Sequence, residues 1–127
     1  MSRMKPISTD KAPQAIGPYS QAIQSGNYLF VSGQIPLTPE GEMVEGGIEA
    51  QAHQVFRNVQ AILEAAGTSL DRVVKVTLFL TDLSYFATVN AIYEQYLGHV
   101  KPARSTVQVA ALPKGALIEM EAVAELS

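Results

Sequence analysis

Cysteine and tryptophan are both absent from this chain of 127 residues. Without a thiol the protein has no disulfide, thiolate nucleophile, zinc–thiolate site or iron–sulfur cluster, because each of these needs the sulfur atom. Any catalysis must therefore use oxygen and nitrogen groups. Apart from histidine, the aromatic side chains are five tyrosines and four phenylalanines.

Long apolar runs and excess positive charge are also missing. No stretch approaches the ~18 apolar residues of a membrane-spanning helix, and the first ten residues lack the apolar core of a secretory signal. Nine Lys and Arg against twelve Asp and Glu give a formal charge of -3, the wrong balance for binding phosphate backbones. We therefore expect a cytoplasmic protein with no membrane partner, and the charge argues against a nucleic-acid partner.

The chain does contain enough apolar material for one core. Hydrophobic residues make up 47% of the sequence, and the seven prolines and nine glycines are spread along it rather than clustered. No internal repeat, low-complexity tract or linker divides the sequence. Residues 1–127 are therefore predicted to form a single domain.

A hairpin and two helices are the clearest local patterns. Residues 20–25 and 28–34 flank Gly26-Asn27, a pair suited to a tight primed turn, and they predict a β-hairpin. Apolar residues recur every three or four positions from 48 to 66, and again from 86 to 97, as they do on one face of a helix.

Three further segments have strand patterns. Residues 73–80 are nearly continuous in apolar character, which is typical of a central strand covered on both faces, and residues 105–110 and 117–124 alternate. The order ββαβαββ, with an optional short N-terminal strand, predicts an α+β fold with a single mixed sheet and both helices on one face. Because two helices cannot cover both faces, we expect a second copy of the chain to bury the other.

Four polar residues could support chemistry. Arg104 begins a strand whose next six residues are uncharged; it either forms an edge salt bridge to Glu119 or Glu121, or binds a small carboxylate through its guanidinium fork. The two glutamates project from one strand face, where both are solvated or one is a general acid or base with a pKa raised by burial. Tyr19 follows a Gly-Pro pair, and its ring fits a core or a pocket equally well.

The two histidines do not indicate a metal site. His53 and His99 lie on predicted helices without carboxylates at ligand spacing, so each is interpreted as a helix-surface or helix-end residue, with a switch or catalytic role as the alternative. The GxGxxG, GxxxxGK[ST], GxSxG and HExxH motifs are absent, so dinucleotide-fold, P-loop, serine-hydrolase and zincin functions lack their defining residues.

Three segments together resemble the RidA (YjgF) family of reactive intermediate/imine deaminases: GPYSQA from Gly17, SGQIP from Ser32 and KPARSTVQVAALPKGALIEMEAVAEL from Lys101. The similarity runs over essentially the whole chain and includes HQVFRNVQAILEAAG from His53 and FATVN from Phe86. It implies a chorismate-mutase-like α+β fold, assembled as a homotrimer with ligand pockets between subunits. It also implies a hydrolase acting on C=N bonds, a 2-iminobutanoate/2-iminopropanoate deaminase that converts 2-imino acids or enamines such as 2-aminoacrylate to 2-keto acids and ammonia without a cofactor.

The resemblance also assigns roles by position. Arg104 of PARS would bind the substrate carboxylate, and Glu119 of IEME would orient the attacking water. Tyr19 of GPYS joins them as a catalytic residue lining the pocket. The other matched pocket positions, assigned to substrate binding, are Ser32, Gly33, Phe86, Asn90 and Thr106. Many members have Cys where this chain has Thr106, so the roles assigned to that thiol cannot operate here.

Two other functions stay open from the sequence. Similar proteins have been linked to purine and amino-acid regulation, which would make this chain a non-catalytic small-ligand-binding regulatory protein. Some family members carry an endoribonuclease label, against which the acidic composition and the lack of a basic, aromatic-rich patch argue. The sequence does not specify the side chain of the preferred imine.

Overall fold

The computed structural model describes residues 4–127, which contain six strands in one sheet and two α-helices. In chain order the elements are β1 Met4–Ile7, β2 Ala22–Ser25, β3 Tyr28–Gln34, α1 Ile48–Ala65, β4 Val73–Leu80, α2 Phe86–Leu97, β5 Ala103–Gln108 and β6 Ile118–Glu125. In space the strands follow the order β1-β2-β3-β6-β4-β5.

The predicted α+β architecture is confirmed, with one strand added. The optional N-terminal strand is present as β1, which pairs antiparallel with β2 and extends the order to βββαβαββ. The sheet is mixed because β4 and β5, joined through α2, run parallel, while its other neighbouring strands are antiparallel. The expectation that β4 is the middle of the sheet is wrong: β6 returns from the chain end to pair between β3 and β4.

Local signals set the bounds of both helices. After α1, Gly67 adopts φ 84°, and the amide of Thr68 donates to the carbonyl of Leu63 at 3.0 Å, a Schellman-type ending. Before α2, a single 3-10 turn begins where the Asp82 carboxylate accepts from the amide of Ser84 at 2.8 Å. Within residues 4–127, no helix combines the length and apolar character needed to cross a bilayer.

The two faces of the sheet differ sharply in burial. On β4 and β6 every second side chain is buried beneath the helices, including Val76, Leu78, Leu80, Ile118 and Met120. The side chains between them lie on the opposite face, which no element of residues 4–127 covers: Lys75, Thr77, Phe79, Glu119 and Glu121. We call this the open face. It also carries Tyr28 and Phe30 of β3, which are 43% and 48% exposed.

β4 therefore differs from the expected strand buried on both faces. Although most residues of β4 are apolar, the burial of its side chains alternates along the strand, and Thr77 and Phe79 are half-buried on the open face. The open face itself agrees with the sequence argument that two helices cover only one side.

Candidate functional site

A cavity of about 630 Å³ opens at the start of β6. Four residues named from the sequence line it: Tyr19, Ser32, Gly33 and Glu119. The rest of its lining comes mainly from the segment 13–16, the segment following β3 and the turn before β6. We call this the Glu119 cavity.

The close approach of β3 to the Glu119 carboxylate shapes the floor of the cavity. The pairing of β3 with β6 changes register between Val31 and Gln34, so Ser32 and Gly33 lie in a bulge. A Cβ atom added to Gly33 would overlap the carboxylate of Glu119. Only glycine leaves this space open at the site, which gives the glycine of SGQIP a steric explanation.

The environment of Glu119 favours its protonated form. Burial raises the pKa of the Glu119 carboxyl, and the negative charge of Glu121, two residues away on the same face, raises it further. A carboxylate with a raised pKa holds a proton more strongly than an ordinary glutamate does. A side chain of this kind can take up and return a proton during a reaction.

One buried side chain, Gln21, holds the cavity wall. Its side-chain amide donates to the carbonyls of Pro13 at 2.7 Å and Thr9 at 3.1 Å, and its Oε1 atom accepts from the Thr9 amide at 2.7 Å. On the other side, its backbone carbonyl accepts from the amide of Ser32 at 2.9 Å. Sequence reasoning missed Gln21, although a polar residue inside GPYSQA was available as a signal.

Ser32 and Tyr19 complete this half of the arrangement. The Ser32 hydroxyl donates to the carbonyl of Ser20 at 2.6 Å, which fixes its side chain against the bulge. Tyr19 is 53% exposed, and its hydroxyl accepts from the amide of Ile16 at 3.4 Å. Of the two environments considered for Tyr19, the structure therefore gives the rim of a pocket and not the core.

Arg104 lies in a second cluster, built by α2 and β5. Its Nη1 atom donates to the Oδ1 atom of Asn90 at 2.8 Å. The guanidinium carbon is 4.6 Å from the ring centroid of Tyr93 and 5.6 Å from that of Phe86. These three partners share one face of α2. Thr106, two residues after Arg104 on the same strand face, buries a hydroxyl oxygen that has no hydrogen-bond partner within residues 4–127.

The Arg104 group, as we call Phe86, Asn90, Tyr93, Arg104 and Thr106, differs from its sequence prediction in two respects. The apolar spacing predicted for residues 86–97 begins at Phe86, which is 40% exposed because the buried face of the helix is centred on other residues. Tyr93 belongs to the same spacing and was missed as a neighbour of Arg104. Burial raises the pKa of Tyr93, while the charge of Arg104 opposes that rise.

Sheet register separates the Arg104 group from the Glu119 cavity. Arg104 pairs with Val76, which is buried beneath the helices, so its side chain lies on the helix-covered face. Glu119 pairs with Phe79 and lies on the open face. Because β4 lies between β5 and β6, the strands that carry Arg104 and Glu119 are about 10 Å apart. The side chains of Arg104 and Glu119 leave the sheet in opposite directions. The interpretation of Arg104 as an edge partner of Glu119 or Glu121 is therefore wrong.

The histidines contact single side chains away from both clusters. The Nδ1 atom of His53 is 2.8 Å from the hydroxyl of Tyr96, and the Nε2 atom of His99 is 2.7 Å from a carboxylate oxygen of Asp71. Across the described part of the chain, no group of His, Asp and Glu side chains could hold a metal ion.

Comparison with known proteins decides the family. The sequence profile of the endoribonuclease L-PSP family matches residues 9–126. The chain belongs to this family, the RidA (YjgF) family. A RutC family protein of Pyrococcus abyssi is 58% identical over 93% of this chain and 94% of its own length. A 2-iminobutanoate/2-iminopropanoate deaminase of Homo sapiens is 52% identical over 93% of this chain and 87% of its own length.

Solved structures of RidA-family proteins share the fold. The crystal structure of E. coli TdcF with bound serine has a TM-score of 0.91 and 44% sequence identity, covering 97% of this chain and 99% of its own. The chorismate-mutase-like sheet and helices expected from the resemblance are thus confirmed.

Proposed function

We propose that this RidA-family protein is a 2-iminobutanoate/2-iminopropanoate deaminase, which hydrolyses reactive 2-imino acids and their enamine tautomers to 2-keto acids and ammonia. The observation that carries the proposal is the Glu119 carboxyl, whose pKa is raised in a cavity of about 630 Å³ that Gly33 leaves open. The human and mouse relatives named for this activity, 52% and 50% identical, support it.

The reaction requires the protein mainly to position the substrate and to transfer protons. Arg104 binds the carboxylate of the imino acid through paired N–H groups, which holds the adjacent iminium carbon in place. Glu119 accepts a proton from water as the water oxygen bonds to that carbon, giving a tetrahedral carbinolamine. Glu119 then returns the proton to the nitrogen. As the C–N bond breaks, the hydroxyl proton passes to Glu119, the 2-keto acid forms and ammonia leaves; ammonia takes this proton from Glu119 as ammonium.

The site that we propose is shared between subunits of a homotrimer. One chain holds Arg104 and Glu119 on opposite sheet faces, so a pocket containing both requires the Arg104 group of one copy to close the Glu119 cavity of the next. Exposed apolar side chains at both places support such a contact, with Phe86 40% exposed near Arg104 and Ile16 71% exposed at the cavity. Tyr28 and Phe30 on the open face provide further apolar area for the same assembly.

Phe30→Glu is expected to weaken the assembly, because it puts a charge on the surface that we propose to be buried between subunits. Light scattering is expected to give a smaller mass for this variant, and its deaminase activity is expected to fall with the mass. Ala65→Glu is the matched control, since Ala65 is exposed at the end of α1 on the helix side. An active wild type with the mass of a single chain would contradict the shared site.

A coupled assay tests the proposed reaction. A pyridoxal-phosphate dehydratase that releases 2-iminobutanoate from threonine is run with and without this protein, and the formation of 2-oxobutanoate is followed. We expect the protein to accelerate ketoacid formation beyond spontaneous hydrolysis. Ligand binding without acceleration would instead favour the regulatory alternative, and cleavage of RNA by rigorously purified protein would favour the ribonuclease.

Gly33→Ala is expected to lower this activity at least tenfold without unfolding the protein. The added methyl group must displace the Glu119 carboxylate, and a misplaced general base loses much of its effect. Gly47→Ala, at the start of α1, is a control for the loss of a glycine, since Gly47 has a negative φ and its Cβ would meet no atom within 4 Å. Steady-state kinetics and circular dichroism of both variants provide the measurement, and a fully active Gly33→Ala protein would contradict the steric argument.

A further inference from the structure

Tyr93 is the member of the Arg104 group that the sequence did not assign to the site. It is 7% exposed, whereas Phe86, the other ring beside the guanidinium, is 40% exposed. The guanidinium carbon is also 1 Å closer to the Tyr93 centroid, at 4.6 Å against 5.6 Å. Cation–π attraction strengthens as the pair loses contact with water, so Tyr93 is the stronger partner for the charge.

Tyr93 is itself held by the core. Its ring packs edge-on against Phe56 of α1, with centroids 5.9 Å apart and planes at 74°. Phe56 is 1% exposed and belongs to the main hydrophobic core. The Tyr93 ring thus packs against the core residue Phe56 on one side and against the Arg104 guanidinium on the other.

Asn90 and Tyr93 restrain different motions of Arg104. The bond from Nη1 to Asn90 fixes one edge of the guanidinium, while the Tyr93 ring restrains its plane. A guanidinium has five N–H donors, so the bond to Asn90 leaves others for a ligand carboxylate. We propose that Tyr93 is a positioning residue whose ring holds the Arg104 guanidinium in the orientation that binds the substrate carboxylate. The inference rests on the proposed function.

The ring, and not the hydroxyl, carries this role. The Tyr93 hydroxyl oxygen is buried and lies near enough to Arg104 for the guanidinium to lower the pKa of Tyr93, but it meets no partner at hydrogen-bonding geometry within residues 4–127. Removing it leaves the ring face beside the charge, whereas replacing the ring with an aliphatic side chain removes the attraction. Tyr93→Phe and Tyr93→Leu therefore separate the two parts of the side chain.

A binding experiment with two probes tests the proposal. Affinities for 2-oxobutanoate and for its neutral amide, 2-oxobutanamide, are measured by calorimetry for the wild type and the variants. Tyr93→Leu is expected to weaken binding of the carboxylate about tenfold and to leave the amide unchanged, while Tyr93→Phe keeps the wild-type preference. Tyr96→Leu is the matched control, because Tyr96 also lies on α2 and packs on Phe56 at 5.2 Å without touching Arg104.

A second measurement reads the orientation of Arg104 without a ligand. The side-chain N–H resonances of Arg104 are expected to be shifted by ring current in the wild type and in Tyr93→Phe, and to lose most of that shift in Tyr93→Leu, where only the more distant Phe86 ring remains. Circular dichroism identifies any variant that fails to fold.

The outcomes separate the role of Tyr93 from the function itself. If Tyr93→Leu keeps both the carboxylate preference and the shifted resonances, the positioning role is overturned while the deaminase proposal stands. Loss of the preference in Tyr93→Phe to the same degree as in Tyr93→Leu would also overturn it, because the hydroxyl would then be the active part. A wild type that binds both probes equally would overturn carboxylate binding by Arg104, and the inference with it.

Discussion

Arg104→Ala is expected to reduce kcat/KM for 2-iminobutanoate by tenfold to more than a hundredfold while the protein stays folded. A charged, bidentate contact contributes about 1.5 to 3 kcal/mol, and losing it lowers catalytic efficiency by that amount of transition-state binding. The fold is expected to survive because Arg104 lies on an edge strand, outside the buried core. The coupled dehydratase assay measures the loss.

Arg104→Lys is the conservative comparison for this prediction. Lysine keeps the positive charge but lacks the planar fork, so we expect it to recover only part of the activity. It also loses the flat surface that stacks on the Tyr93 ring. Near-normal kcat/KM in Arg104→Ala would remove the carboxylate-binding role.

Glu119→Gln is expected to lower kcat by ~10² or more, because glutamine keeps the shape and hydrogen bonding of the side chain but accepts no proton from water. The pH profile gives a second readout. Since burial raises the pKa of Glu119, activity of the wild type is expected to fall as the pH drops through that raised pKa, at a higher pH than for an ordinary glutamate. Glu119→Gln is expected to lack this acidic limb.

Glu121→Gln is the matched control, two residues along the same face. Its effect on kcat is expected to be milder than that of Glu119→Gln. The negative charge of Glu121 raises the pKa of Glu119, so removing it is expected to move the acidic limb to lower pH. If Glu121→Gln proves the more damaging change, the assignment of the water-orienting carboxylate is wrong. If neither change matters, the ligand-binding alternative gains support.

Local sequence patterns predicted most of the secondary structure. The Gly26-Asn27 turn, the spacing of apolar residues in both helices and the alternation of β6 each depend on residues that are close in the chain. The position of β6 between β3 and β4 depends on pairings across the whole chain, which no local pattern contains. The sequence therefore predicted the elements and the layers, but not which strand lies in the middle.

The arrangement of the site was predictable only in part, because it also depends on strand pairings between residues far apart in the chain. Alternation placed Glu119 and Glu121 on one face, and family resemblance named the other candidate residues. Neither source separated Arg104 from Glu119, because the face of an edge strand is set by its pairing with β4. Tyr93 was missed because its position in the helical spacing is the same whether its ring packs only in the core or also contacts a guanidinium.

Mixed oligomers test the shared site most directly. Arg104→Ala and Glu119→Gln chains, each of strongly reduced activity alone, are co-expressed with different tags, and the mixed species is purified and assayed. If each site of the trimer takes Arg104 from one subunit and Glu119 from the next, every trimer that contains both variants has one intact site, with both residues native, and two damaged sites. We therefore predict recovery of about a third of wild-type kcat in the purified mixed species. Activity no higher than that of the separate variants, in oligomers shown to contain both chains, would contradict the shared site.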